Sequence, residues 1–139
     1  MLTRIAGSSD AFHAGFVTYA NAIKHSVLGV EEQTLTEQGA VSEEVVIAMT
    51  KGALERSGAD YGIAVSGVAG PGGGSAEKPV GTVWMAWGHK DNLRTRRMTL
   101  TTDRKRFQQM VTAITLDLIR RELLSLEPQP TYYQALKKG

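Results

Sequence analysis

The chain has 139 residues, of which 42% are hydrophobic and 22% are charged. This length and composition are typical of one globular domain with its own core, and they exclude a largely disordered chain. Sixteen Lys and Arg residues against fourteen Asp and Glu residues leave a net charge of +2, which is too small for a general polyanion-binding surface. The absence of cysteine excludes disulfides and thiolate catalysis and favours a reducing, cytoplasmic location. The apolar run at residues 83–87, which no other run exceeds, is far too short to cross a bilayer, so no membrane partner is expected.

The first half of the chain predicts one strand and three helical segments. Residues 12–19 are rich in aromatic and β-branched residues and predict a strand, after which Asn21 is expected to cap a short helix. A turn of helix is expected within residues 31–38. Ser42 is expected to begin a longer helix that ends at Gly58.

The middle of the chain predicts further strands. Residues 61–65 are a short apolar run consistent with a strand buried on both faces, and a glycine-rich loop, residues 67–74, follows at once. Residues 80–87 and 94–101 predict two more strands, joined by a turn of hairpin length. At least this pair is expected to be antiparallel.

The last predicted element is a long helix. Asp103 is expected to cap this helix. Apolar residues recur at helical spacing over residues 103–126, and prolines then end the helix. Residues 128–139 are expected to be a tail that is loose or docked on a partner. Strands that alternate with helices favour a single α/β domain, residues 1–127, built as a three-layer α/β/α sandwich with a mixed sheet.

The glycine-rich loop is the strongest local signal for a binding site. Ser66, Gly67, Gly70, Gly72 and Gly73 lie in a stretch where missing side chains let backbone N–H groups approach a phosphate or an oxyanion. The stretch matches neither the P-loop nor the dinucleotide fingerprint. The alternative interpretation is a flexible connector.

Tyr19 and Lys24 flank the first predicted strand-to-helix junction. With Asn21 as the cap, Lys24 lies in the first helical turn, where the positive helix end disfavours an ammonium and should lower the pKa of Lys24. A lysine with a lowered pKa can act as a general base near neutral pH. The alternative is a solvated surface lysine beside a core tyrosine.

Basic residues cluster near the start of the last helix and could form a phosphate pocket: Arg94, Arg96, Arg97, Arg104, Lys105 and Arg106. A nucleic-acid-binding stripe is a less favoured interpretation, and a solvated hairpin face is the third. The three histidines are isolated and the acidic residues form no calcium loop, so no metal site is expected.

Several ordered motifs resemble those of the CinA carboxy-terminal domain family: Gly7-Ser8-Ser9, Tyr19-x-Asn21-x-x-Lys24, Gly39-Ala40-Val41-Ser42-Glu43, Ser66 to Gly73, and Lys78-Pro79-Val80-Gly81. The resemblance spans residues 2–126. It implies an α/β/α domain, and family members include nicotinamide mononucleotide amidohydrolases, which release ammonia from the carboxamide without a metal. The resemblance also implies that Lys24 and Tyr19 act with a serine nucleophile, that Arg104 contacts the anionic part of the ligand, and that no cofactor is needed.

The resemblance places that serine in a Glu-Ser-Cys-Thr-Gly-Gly stretch that would fall ahead of Met1, together with a strand and a helix. The expected function is conversion of nicotinamide mononucleotide to nicotinic acid mononucleotide and ammonia. The alternative is a noncatalytic nucleotide-binding or assembly module of the same fold. Because an open strand edge pairs readily with its own kind, a homodimer or larger closed oligomer is also expected.

Overall fold

Four α-helices and a three-stranded sheet make up the described part of the chain, residues 2–133 of a computed structural model. The helices are α1 (Asn21–Leu28), α2 (Glu32–Gln38), α3 (Glu43–Ser57) and α4 (Arg104–Leu123). The strands are β1 (Tyr61–Gly67), β2 (Thr82–His89) and β3 (Asn92–Thr99), and Ser8–Asp10 forms one turn of 3-10 helix.

Local capping sets the ends of the two long helices where the sequence predicts them. The side chains of Ser42 and Asp103 each accept a hydrogen bond from a backbone N–H three residues ahead, at the starts of α3 and α4. Gly58 ends α3 in the left-handed conformation, with φ of 66°. These three predictions are confirmed.

Helices cover both faces of the sheet. Val83, Met85 and Trp87 of β2 pack with the apolar face of α4 in one core cluster. Ala64 of β1 packs with residues of α1, α2 and α3 in a second cluster on the other face. Because successive strand residues point to opposite faces, the same strands serve both clusters. The predicted single α/β domain with three layers is confirmed.

The sheet itself is antiparallel, in the order β1-β2-β3. This corrects the expected mixed sheet for the described residues, because a mixed sheet needs a parallel pair. Residues 12–19, the remaining predicted strand, lie outside the sheet, and Val17 is 93% exposed. A strand needs a neighbour for its backbone groups, and β-branched and aromatic composition does not supply one.

β1 is an edge strand, which corrects the expected burial on both faces, since Ala64 is its one buried residue. The carbonyl of Asp60 accepts from the N–H of Lys90, and the N–H of Val68 donates to the carbonyl of Thr82. The backbone N–H and C=O groups of the even-numbered residues of β1 therefore face β2. By the antiparallel alternation, the backbone groups that face the open edge belong to Tyr61, Ile63, Val65 and Gly67.

The chain beyond α4 folds back onto the domain. Tyr133 is buried, and the Arg96 guanidinium lies 4.2 Å from the centre of its ring. The hydroxyl of Tyr132 donates to the carboxylate of Asp117 at 2.8 Å. The tail is therefore docked on its own domain as far as Tyr133, rather than loose, and residues 134–139 lie outside the described residues.

Candidate functional site

A groove of about 520 Å³ runs between β1 and the first half of α4. We call it the α4 groove, and its lining residues are Tyr19, Ile63, Val65, Gly67, Ala69, Arg104, Phe107, Gln108, Val111, Thr112, Thr115 and Leu116. Most of this lining is apolar. A mostly apolar cleft with a few polar groups is the usual form of a small-ligand site.

Arg104 connects the α4 groove to the glycine-rich loop. Its Nη1 donates a hydrogen bond to the carbonyl of Gly70 at 2.9 Å, and the side chain is exposed. Arg104 is the first residue of α4, where a cation opposes the helix dipole, and the Gly70 carbonyl offsets part of that conflict. The remaining guanidinium donors can meet an anionic group that enters the groove.

The glycine-rich loop needs some of its glycines for packing. A Cβ on Gly67 would lie 3.0 Å from a backbone oxygen of β2, and a Cβ on Gly70 would lie 2.5 Å from the Val80 side chain. Gly70 and Gly73 also have positive φ, of 73° and 86°. Gly72 has open space around it, so the role predicted for Gly72 in binding stays a prediction without a geometric requirement.

Lys24 is buried beside the end of the extended segment. The residue is only 6% exposed, and its Nζ donates hydrogen bonds to the backbone carbonyls of Thr18 at 2.9 Å and Tyr19 at 3.2 Å. Burial lowers the pKa of Lys24, as expected, but the physical cause is desolvation. The expected cap is corrected: α1 begins after Ala20, so Asn21 is its first residue.

The structure brings only some of the predicted residues together. Tyr19, Gly67 and Arg104 line the α4 groove. Lys24 is not part of the lining, but its Nζ donates a hydrogen bond to the backbone carbonyl of Tyr19, which is. Ser66 points to the opposite face of the sheet, where its hydroxyl donates to the carbonyl of Ala40 at 2.7 Å. Neighbouring residues of a strand point to opposite faces of the sheet, so Ser66 and Gly67 do not share a face. The roles predicted for Lys24 and Ser66 stay predictions.

The six basic residues do not converge on one pocket. Arg94 forms an ion pair with Glu122 at 2.8 Å, Arg97 donates to a loop carbonyl, and Arg96 covers the ring of Tyr133. Of the six, Arg104 alone lines the α4 groove. The predicted shared phosphate pocket is therefore wrong, because tertiary contacts send the hairpin arginines elsewhere.

Three polar residues of the α4 groove, Gln108, Thr112 and Thr115, were not among the predicted site residues. Gln108 and Thr112 follow Arg104 at intervals of four, so these two and Arg104 share one face of α4. This spacing is visible in the sequence, but the sequence does not show that this face meets a groove.

Within residues 2–133, no group of three His, Cys, Asp or Glu residues could hold a metal ion. No helix in the same range is long and apolar enough to cross a membrane.

The fold is a three-layer α/β/α domain with a mostly apolar groove between an edge strand and α4. Residues 1–123 match the family described as CinA C-terminal domain, and the chain belongs to that family.

Named relatives have the same region in longer chains. The chain is 53% identical over 131 residues to a CinA-like protein of Colwellia psychrerythraea, covering 94% of this chain and 30% of that relative. It is 47% identical over 125 residues to nicotinamide-nucleotide amidohydrolase PncC of Escherichia coli (strain K12), covering 89% of this chain and 76% of PncC. The crystal structure of competence/damage inducible protein CihA from Agrobacterium tumefaciens superposes with a TM-score of 0.81 at 44% identity, covering 85% of this chain and 73% of that one.

Proposed function

We propose that the chain binds nicotinamide mononucleotide in the α4 groove and serves the hydrolysis of its carboxamide to nicotinic acid mononucleotide and ammonia. The observation that carries this proposal is the meeting of Arg104, Gly67 and Tyr19 around one apolar groove. The proposal is supported by 47% identity to a protein named nicotinamide-nucleotide amidohydrolase.

Binding in this proposal divides between the two kinds of groove lining. The free donors of Arg104 hold the phosphate at the glycine-loop end, because a guanidinium pairs well with phosphate oxygens. The pyridine ring lies on the apolar lining, which includes Ile63 and Val65 of β1. Tyr19, which is 85% exposed and also lines the groove, is free to contact the ligand.

The proposed reaction is acyl transfer. A serine hydroxyl attacks the carboxamide carbon while Lys24, in its neutral form, accepts the hydroxyl proton. The tetrahedral oxyanion collapses, Lys24 returns the proton to the departing ammonia, and water then hydrolyses the acyl ester. Lowering of the Lys24 pKa by burial favours this role.

The described lining of the α4 groove contains no serine. We therefore propose that the 139-residue chain binds the nucleotide but hydrolyses it very slowly, and that hydrolysis needs the Glu-Ser-Cys-Thr-Gly-Gly segment that the family resemblance implies. Without a nucleophile, binding and oxyanion contacts alone leave only a small residual acceleration. A purely noncatalytic nucleotide-binding module is the alternative function, and it shares the binding step.

Ammonia release from nicotinamide mononucleotide tests the reaction. The 139-residue chain is compared with a form extended at the amino terminus by that serine segment. The extended form should release ammonia, and Lys24→Met should abolish the release. Lys51→Met, which changes an exposed lysine of α3, is the matched control and should leave activity unchanged. Full activity without the extension, or with Lys24→Met, would contradict the proposed mechanism.

We also propose that the domain self-associates through the open edge of β1. Supporting this, a second groove of about 710 Å³ lies along that edge and is lined from both helical layers, by Met49 and Leu54 of α3 and by Ile119 and Leu123 of α4. Apolar surface beside an unpaired strand is commonly covered by another chain.

Sedimentation at micromolar concentration tests the association. A homodimer or larger closed oligomer is expected, and Val65→Lys, which puts a charge on β1 beside the open edge, should dissociate it. Leu126→Lys, a similar change at an exposed leucine beyond α4, should leave it intact. A well-folded monomer at all concentrations would contradict this proposal.

A further inference from the structure

Gln108 lies in the α4 groove and has no part in the proposed reaction. It follows Arg104 by four residues, which places it about 6 Å farther along the helix axis, on the same face of α4. Its backbone carbonyl accepts from the hydroxyl of Thr112 at 2.8 Å. Its side-chain carboxamide is exposed and makes no hydrogen bond with another described residue, so both its donors and its acceptor are available to a ligand.

The chemistry of a carboxamide selects the part of a nucleotide that it can contact. An ionised phosphate oxygen only accepts hydrogen bonds, and the pyridine ring offers mainly apolar surface apart from the carboxamide that the proposed reaction hydrolyses. A sugar hydroxyl both donates and accepts, so it can pair with both halves of a carboxamide. With the phosphate at Arg104, the next unit of a mononucleotide along the groove is the sugar, and Gln108 is the next polar side chain along α4.

We propose that Gln108 contacts the sugar hydroxyls and makes the α4 groove selective for ribonucleotides over nucleotides that lack the 2′ and 3′ hydroxyls. This inference rests on the proposed function, because it takes Arg104 as the phosphate contact. It adds a specificity-determining residue and defines the ligand class by its sugar.

The neighbouring glutamine supplies a matched control. Gln109 is also exposed and also lies in α4, but it is not part of the groove lining. Removing either carboxamide changes the helix propensity and the surface polarity in the same way. Only the removal of the Gln108 carboxamide takes a hydrogen-bonding group out of the α4 groove.

Calorimetric titration of the 139-residue chain with nicotinamide mononucleotide and with its 2′,3′-dideoxy counterpart tests the proposal. The unmodified chain should bind the ribonucleotide about 2- to 13-fold more tightly, the range for one net hydrogen bond. Gln108→Ala should lose this preference, and Gln109→Ala should keep it. Circular dichroism checks that each variant is folded.

The possible results separate the inference from the proposed function. Binding of both ligands with no preference in the unmodified chain, or with the preference kept in Gln108→Ala, overturns the role of Gln108 and leaves the proposed function standing. Loss of the preference in Gln109→Ala also overturns it, because that carboxamide lies outside the groove lining. Failure of the unmodified chain to bind either nucleotide overturns the proposed function and the inference together.

Discussion

Arg104→Ala is the most direct test of nucleotide binding in the α4 groove. The change removes the one guanidinium in the groove lining and also the hydrogen bond to the carbonyl of Gly70. A hydrogen bond with one charged partner contributes about 1.5–3 kcal/mol. Because Arg104 is exposed and already uses one donor within the protein, solvent screening favours the lower part of that range, about 1.5–2 kcal/mol. This corresponds to a roughly 10- to 30-fold weaker affinity.

Calorimetry with nicotinamide mononucleotide at low salt measures the loss, and the same titration at high salt should show a smaller difference between the variant and the unmodified chain. Arg106→Ala is the control, since Arg106 is an exposed cation in the same helical turn but outside the groove lining. Equal losses in the two variants would mean that general surface charge explains the binding. No loss in Arg104→Ala would refute the phosphate contact.

Two further predictions concern stability. Partial burial raises the pKa of Asp117, but hydrogen bonds from Arg121, Arg120 and Tyr132 outweigh burial and hold this pKa at about 2. The ionised carboxylate therefore stabilises the fold fully above pH 3.8, the usual pKa of the group, and this stabilisation is lost as the pH falls toward 2. Asp117→Asn should therefore lower the free energy of unfolding at pH 7 by about 1–2 kcal/mol, after allowance for solvent screening, and should weaken the loss of stability in acid, as urea unfolding can measure. Burial lowers the pKa of Lys24 below 10.5, so the unfolded chain binds more protons than the folded one just below that pH, and stability should rise with pH there. Unfolding in guanidinium chloride at a series of pH values should show that Lys24→Met removes this rise in the free energy of unfolding. If the rise is the same in Lys24→Met as in the unmodified chain, burial does not lower the pKa of Lys24.

Local sequence signals determined the two long helices, α3 and α4, and the caps at which they begin. Ser42 and Asp103 cap α3 and α4 because their side chains reach backbone N–H groups only three residues away. The apolar spacing of α4 showed which face it buries, and the glycine-rich loop and Arg104 were identified as candidate site features. The three layers followed from the order of helices and strands. All these features depend on residues that are close together in the chain.

The tertiary structure decided which strands pair and which face of the sheet each side chain points to. The composition of residues 12–19 favours a strand, but a strand also needs a neighbour, and these residues lie outside the sheet. The same lack of a neighbour makes β1 an edge strand. The sequence analysis assigned the neighbours Ser66 and Gly67 to one site. In the structure, the Ser66 hydroxyl contacts Ala40 on one face of the sheet, and Gly67 lines the α4 groove on the other. Such outcomes depend on residues distant in the chain, so propensity and spacing, which are local properties, could not determine them.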